Sequence, residues 1–272
     1  MDMQNFYPLD MLCFAVGTYT TALFTLSLLR YPLIGLIVGV AFAIPLALLI
    51  GFITLRHAKV YFSILTLALS MFIYAILMKW REVTGGSDGL VGIPKKGIVI
   101  DISNPQLCHL LILLFFVIAS LGLYFFTKSS LGLLVKALIN EERLSFAGHS
   151  VLIVRLYAFT VSGIVAALSG SLYAIFMGVV TPDIAYWTFS AEPLIMTLIG
   201  GSEYYLGPLV EAAIFVILTT ALARFAEYWM LLLGIAIIAI VIGFKGGILG
   251  ALAAIIANIK SKKYMTYSEG ES

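Results

Sequence analysis

The sequence predicts an all-α, polytopic integral membrane protein of about eight transmembrane helices, folded as one transmembrane domain over residues 1–272. Three observations predict it. The 272 residues are 62% apolar and only 11% charged, where a soluble domain carries about a quarter charged residues. So few charges cannot cover a water-facing surface, and most of the surface must meet lipid. Apolar runs of about 20 residues, the length that crosses the hydrocarbon core as a helix, recur along the chain. Lys and Arg also divide unequally between the loops.

Taken in order, the runs are 9–29, 32–55, 58–79, 107–127, 151–177, 206–226 and 228–244. An eighth, 182–201, contains Pro182, Asp183, Glu192 and Pro193 and ends at Gly200-Gly201, shortly before Gly207 and Pro208. These residues predict a broken or re-entrant segment, because irregular backbone at membrane depth survives only where protein or a cavity surrounds it. The stretch GGILGALAAIIANIKSKK is too short for a further span. It is expected to lie at the membrane surface or to extend the last helix, ahead of a tail at 258–272.

Orientation follows from the basic residues. With 128–150 and the C-terminus on the cytoplasmic side, Arg56, Lys59, Lys128, Lys136, Arg143, Arg155, Lys245, Lys260, Lys262 and Lys263 are inside. Arg30, Lys79, Arg81, Lys95, Lys96 and Arg224 are then outside, a ratio of ten to six that favours this arrangement. Eight crossings place both termini inside and the 80–106 loop outside. No basic n-region or small-residue cleavage site opens the chain, so the start does not read as a removable signal peptide.

Several chemistries find no support in the residues. Basic residues are scattered rather than striped, so nucleic acid is not an expected partner. Cys13 and Cys108 lie in separate apolar runs and read as small fillers, and His57, His109 and His149 are isolated, so neither a metal nor any other cofactor is expected. There is no GxSxG, HExxH or paired in-membrane aspartate of an intramembrane hydrolase.

Two polar segments exceed simple turns. The first, 80–106, holds VTGGSDGLVGI, where Gly85, Gly86 and Gly89 permit positive φ, and Thr84, Ser87 and Asp88 offer hydrogen bonds. No lysine follows as in a phosphate-binding loop, which leaves a flexible outer turn or a gate for a polar solute or docking protein. The second, 127–156, repeats Leu131, Leu134, Val135, Leu138 and Ile139 at helical spacing, with Lys136, Asn140, Glu141, Glu142 and Arg143 among and after them. This predicts a short amphipathic helix ending near Ala147-Gly148. It either lies among headgroups or fills a groove on a soluble partner. Glu211 either lines a wet path or is solvated at the cytoplasmic interface. Gly163, Ala166, Ala167, Gly170 and Ser171 form a small-residue face suited to close helix packing.

Four blocks resemble one family. VYFSILTLALSMFIYAILMKWREVTGGSDGLVGIP (60–94) is similar, in order and spacing, to the signature region of the LivM-type permeases of branched-chain amino acid ABC importers. FAVGTYTTAL (14–23) resembles that family's Gly-Ala-Tyr-Thr helix, GLLVKALINEERLSFAGHSVLIVRLYAF (132–159) its cytoplasmic coupling segment, and SGSLYAIFMGVVTPDIAYWTFSAEPLIMTLIGGSEYYLGPLVEAA (169–213) its second signature. The likeness covers roughly residues 10 to 250.

The resemblance implies a permease subunit of a bacterial-type inner membrane, and no catalytic activity of its own. Its partners would be a homologous permease, two cytoplasmic ATPase subunits and a periplasmic or extracellular solute-binding protein. It maps the ATPase contact onto Lys136, Asn140, Glu141, Glu142, Arg143, Ala147 and Gly148, and favours a partner groove for that segment. Residues 84–89 become a gate or docking element. Branched-chain amino acids are the expected solute, with urea or short amides as alternatives. A stand-alone ion-coupled carrier, with Glu211 as its coupling group, is the rival from another class.

The sequence departs from the family pattern in places. Members usually carry a further hydrophobic segment ahead of the Gly-Ala-Tyr-Thr block, so this chain reads as short at its N-terminus. Leu9-Asp10 stand where a Gly-His pair is usual, and the coupling segment is one residue shorter between Glu142 and Gly148. Glu211 replaces a small residue, and IGFKGGILG (242–250) a Pro-Arg-Gly.

Overall fold

Long apolar segments with few breaks become long helices. The computed structural model describes residues 7–29, 31–56, 59–95, 104–200, 207–225, 231–232 and 234–235. Five long helices run through its first unit, Met1–Ser190. Helix α1 (Tyr7–Phe24) continues into a π-helical turn at Thr25–Leu29; α2 spans Pro32–Thr54, α3 Lys59–Lys79, α5 Pro105–Lys128 and α8 Val151–Met177. Among the described residues, four helices are long and apolar enough to cross a membrane: Pro32–Thr54, Tyr61–Lys79, Pro105–Lys128 and Val151–Met177. The protein is therefore an all-α polytopic membrane protein.

The helix ends follow local chemistry. Pro32 and Pro105 stand in the first turns of α2 and α5, where the missing N–H costs nothing. The Asn104 side chain caps α5 by accepting from the Gln106 N–H at 3.1 Å. Inside the helices, buried hydroxyls donate back to the carbonyl four residues earlier. Thr18 bonds the Phe14 oxygen at 2.7 Å and Thr54 the Ile50 oxygen at 2.8 Å, so neither is left unpaired in an apolar environment.

Lipid tails are as apolar as leucine, so helices in a bilayer associate through close packing rather than water exclusion. The core accordingly forms where side chains are small. A Cβ on Gly170 would overlap the Phe14 carbonyl, and one on Gly163 would meet Cys13 Sγ at 3.0 Å. The Ser171 hydroxyl reaches across to the Gly17 carbonyl at 3.3 Å, and Thr21 in α1 to the Gly35 carbonyl of α2 at 3.1 Å. The small-residue face of α8 thus seats α1 and α2. Cys13 and Cys108 are both buried. The outer sides of α5, including Leu110, Leu113, Ile118 and Phe125, are exposed and apolar, as lipid contact requires.

Neighbours fix the helix directions. Gly163 meets Cys13, whereas Gly35 lies against Thr21 and Thr25, and Gly51 against Leu156 and Phe159. Phe62, at the start of α3, clusters with Phe159, near the start of α8, and Leu77, at the end of α3, with Ala174, near the end of α8. Cys108, at the start of α5, clusters with Leu172 and Ile175. Helices α1, α3 and α8 therefore run one way and α2 and α5 the other. The 80–95 segment and residues 178–186 meet at one end of the bundle; residues 55–56 and 128–150 lie at the other.

The second unit, Ala191–Ser272, continues α9 (Trp187–Gly200) and adds α10 (Gly207–Phe225). The expected 182–201 segment is a 3₁₀ turn at Pro182–Ala185 followed by a helix that starts only at Trp187. Glu192 and Pro193 lie within that helix, Gly200 ends it, and Gly207-Pro208 open α10. Gly201, most of the expected 228–244 span and the 258–272 tail lie outside the described residues.

Candidate functional site

Two ordered assemblies stand at the two ends of the bundle. The first begins where α3 ends. A short helix α4 (Arg81–Thr84) turns into a 3₁₀ turn at Gly86–Asp88 and a two-residue strand β1 (Leu90–Val91). This strand pairs antiparallel with β2 (Val179–Val180), with Leu90 opposite Val180 and Val91 opposite Val179. Gly92 and Ile93 N–H groups both donate to the Gly178 carbonyl at 3.2 Å. Lys95 donates from Nζ to the Phe176 carbonyl at 2.9 Å, completing the C-terminal end of α8.

Thr84 is the pin of this corner. It is 3% exposed, and its hydroxyl lies 2.6 Å from the Leu77 carbonyl and 2.8 Å from that of Trp80. It also accepts from the Gly86 N–H at 3.4 Å. Gly85, Gly86 and Gly89 all take positive φ, at 76°, 60° and 70°. Gly89 pairs its positive φ with ψ −170°, and a Cβ there would overlap the Val180 carbonyl; glycine alone fits. Ser87 and Asp88 remain exposed at the tip. Residues 84–93 thus form a built corner tied to the end of α8. Of the sequence candidates, Thr84 holds the corner inside, while Ser87 and Asp88 present polar groups outside. Reading the sequence missed Val179-Val180, because a two-residue strand is too short to show alternation.

The second assembly follows α5. The Ser129 hydroxyl donates to the Phe126 carbonyl at 2.6 Å and accepts from the Gly132 N–H at 3.2 Å, so the chain turns sharply into α6 (Ser130–Ala137). A 3₁₀ turn at Leu138–Asn140 follows, then α7 (Glu141–Phe146), whose N-terminus the Asn140 side chain caps by accepting from the Arg143 N–H at 3.3 Å. The expected single amphipathic helix is therefore two, because the Asn140 cap starts a new one. Leu138 and Leu144 are buried with Val154 of α8, while Leu131 and Ile139 are exposed, Ile139 to 80%.

Arg155 of α8 donates to the Glu141 carboxylate at 2.5 Å, joining α7 to α8. Glu141 is thereby engaged within the chain. Lys136, Asn140, Glu142, Arg143, Ala147 and Gly148 are exposed. Gly148 has φ 81°, which ends the segment before α8 begins. A cavity of about 290 Å³ opens beside it, lined by Leu131, Leu134, His149, Ile153 and Tyr157 among others. Cations stack on rings nearby in sequence: Arg56 over Phe52 at 3.9 Å and Lys128 over Tyr124 at 4.4 Å, as basic groups do when they leave an apolar layer. Sequence reading missed Ser129, Gly132 and Leu144. The S-x-x-G spacing of the first two is a helix-start signal.

The family described as branched-chain amino acid transport system / permease component matches residues 12–241. The high-affinity branched-chain amino acid transport system permease protein LivM of Salmonella typhimurium is 28% identical over 255 residues, and that of Escherichia coli likewise. Each alignment covers 81% of this chain but 58% of the relative, so the chain spans somewhat over half the length of the curated relatives it matches. No solved structure matches. By the extent of the match to residues 12–241, the chain belongs to the branched-chain amino acid transport system permease family.

Proposed function

We propose that this chain is a permease subunit of an ATP-driven importer for branched-chain amino acids, working as one permease domain in a bacterial-type inner membrane. The match to the permease family over residues 12–241 carries the reading. The glycine-loop corner faces outward and receives a loaded solute-binding protein, with Thr84, Gly85, Gly86, Ser87, Asp88 and Gly89 forming its gate or docking element. The 128–150 segment faces the cytosol. Among the described residues of the first unit, Arg56, Lys59, Lys128, Lys136, Arg143 and Arg155 fall at that end, against Lys79, Arg81 and Lys95 at the other. This bias supports the orientation and a cytoplasmic N-terminus.

A separate ATPase subunit engages Lys136, Asn140, Glu142, Arg143, Ala147 and Gly148, with Glu141 holding the segment to α8 from within. A second ATPase serves a homologous permease partner. The interrupted stretch with Glu192, Pro193, Gly200, Gly201, Gly207 and Pro208 supplies irregular backbone for the path. Nucleotide moves the coupling segment only through binding its two states differently.

The test is transport by the complex purified from native membranes through a tag on this chain. In liposomes, with loaded binding protein on one side and ATP on the other, leucine should accumulate only with hydrolysable ATP. Accumulation driven by an ion gradient without ATP would contradict the reading and support an ion-coupled carrier.

A further inference from the structure

Tyr19 of α1 lies in the cluster formed with Phe14, Leu77, Ala174, Val180 and Ile184, at the glycine-loop end of the bundle. It is 4% exposed. Its buried hydroxyl has no hydrogen-bond partner among the described residues. Every other buried hydroxyl discussed above is satisfied by a carbonyl. A buried hydroxyl without a partner costs the full desolvation of that group. Phenylalanine would fill the same space without that cost, so packing alone does not account for the oxygen.

The neighbourhood supplies a reason. The 3₁₀ turn Pro182–Ala185 packs onto this cluster through Ile184 and Ala185. Its Asp183 is exposed and stands next to Ile184, which packs in the same cluster as Tyr19. Tyr186 follows, with its ring 5.1 Å from that of Tyr74 and 6.1 Å from that of Trp187. An exposed carboxylate on a turn packed against the cluster that holds an unused hydroxyl, followed along the chain by the Tyr186 and Trp187 rings, forms a set that attracts a small organic cation. Carboxylate and hydroxyl oxygens accept N–H bonds, and ring faces favour positive charge. Two oxygens are too few for a hard divalent metal, which takes six or more.

We propose that Asp183 and Tyr19 form a binding site for the α-ammonium group of the transported solute, Asp183 receiving it first and the Tyr19 hydroxyl accepting from it deeper in. This inference rests on the importer reading and assigns two residues to the ammonium group of its solute. A neutral solute such as urea or a short amide gains little from a carboxylate at this position.

The experiment measures ATP-driven uptake of radiolabelled leucine by the reconstituted complex, with saturating loaded binding protein. The chain is wild type, Tyr19→Phe, Asp183→Asn or Asp183→Glu. Loss of one charge-assisted hydrogen bond should slow uptake by about tenfold or more in Tyr19→Phe and in Asp183→Asn. Asp183→Glu should keep most of the rate. Thermal stability of Tyr19→Phe should equal or exceed that of wild type, which separates a transport role from a structural one. Asp183 is the exposed residue of its turn, so Asp183→Asn tests the site independently of α1 packing. Wild-type uptake in Tyr19→Phe would overturn the proposal. So would weakened docking of the binding protein that accounts for the loss in Asp183→Asn, since Asp183 would then be a docking contact. No leucine uptake by wild type with ATP present would instead sink the importer reading, and the site with it.

Discussion

Thr84 shows how one hydroxyl organises a loop. Its oxygen ties the last turn of α3 to the Gly86 N–H, and it is buried while doing so. Thr84→Val keeps the shape and removes the polar atom. It should destabilise the protein by about 1–3 kcal/mol, because Gly86 N–H loses its acceptor and Leu77 its donor in a buried place. A lower midpoint of thermal unfolding in detergent, with membrane yield retained, is the expected result. Gly89→Ala should be at least as damaging, since its backbone sits in a region that only glycine populates. The sequence singled out all six residues of 84–89 as a group, and the structure brings them into one turn. It did not reveal that Thr84 faces inward, because its partner Leu77 lies seven positions back, outside any local capping pattern. Nor does any sequence pattern show that Tyr19 lacks a partner, which is a property of the packed cluster.

At the level of elements, the first five apolar runs were legible as helices almost to the residue. Apolar runs expected at 32–55 and 151–177 became helices at Pro32–Thr54 and Val151–Met177. Bilayer length and flanking Pro, Asn and Gly dictate such limits without help from distant contacts. The small-residue face of α8 was equally legible, and its test is simple. Gly170→Val drives a branched side chain into the α1 backbone at Phe14, so it should abolish recovery of folded protein from membranes. The same change at Gly122, where no atom approaches a Cβ, should be tolerated.

The 128–150 segment was less legible. Its apolar spacing suggested one helix, but the Asn140 cap divides it and turns Ile139 outward. The link between Arg155 and Glu141 joins residues 14 apart and defines how α7 is held. Arg155→Gln should weaken that hold. Leucine-stimulated ATP hydrolysis and transport should fall together by several-fold, while insertion into the membrane is unchanged; normal coupling would assign the pair a purely surface role.

Across the whole first unit, the proposed function makes α8 the mechanical link. The helix begins where the 128–150 segment ends, runs 27 residues, about 40 Å at the helical rise, and leads into β2 and the glycine-loop corner. Close glycine contacts seat it on α1 and α2, so a shift at one end has a packed path to the other. Packed helices switch between discrete arrangements rather than deforming smoothly. Under the proposed function, coupling between the two ends therefore needs no further element. It does require the ends to face opposite compartments. The most direct measurement is paired cysteine labelling with a membrane-impermeant maleimide, applied to Ser87→Cys at the corner tip and Ser145→Cys in α7. In intact cells Ser87→Cys should label and Ser145→Cys should not, until the membrane is permeabilised. Labelling of Ser145→Cys from outside intact cells, with Ser87→Cys protected, would contradict the account.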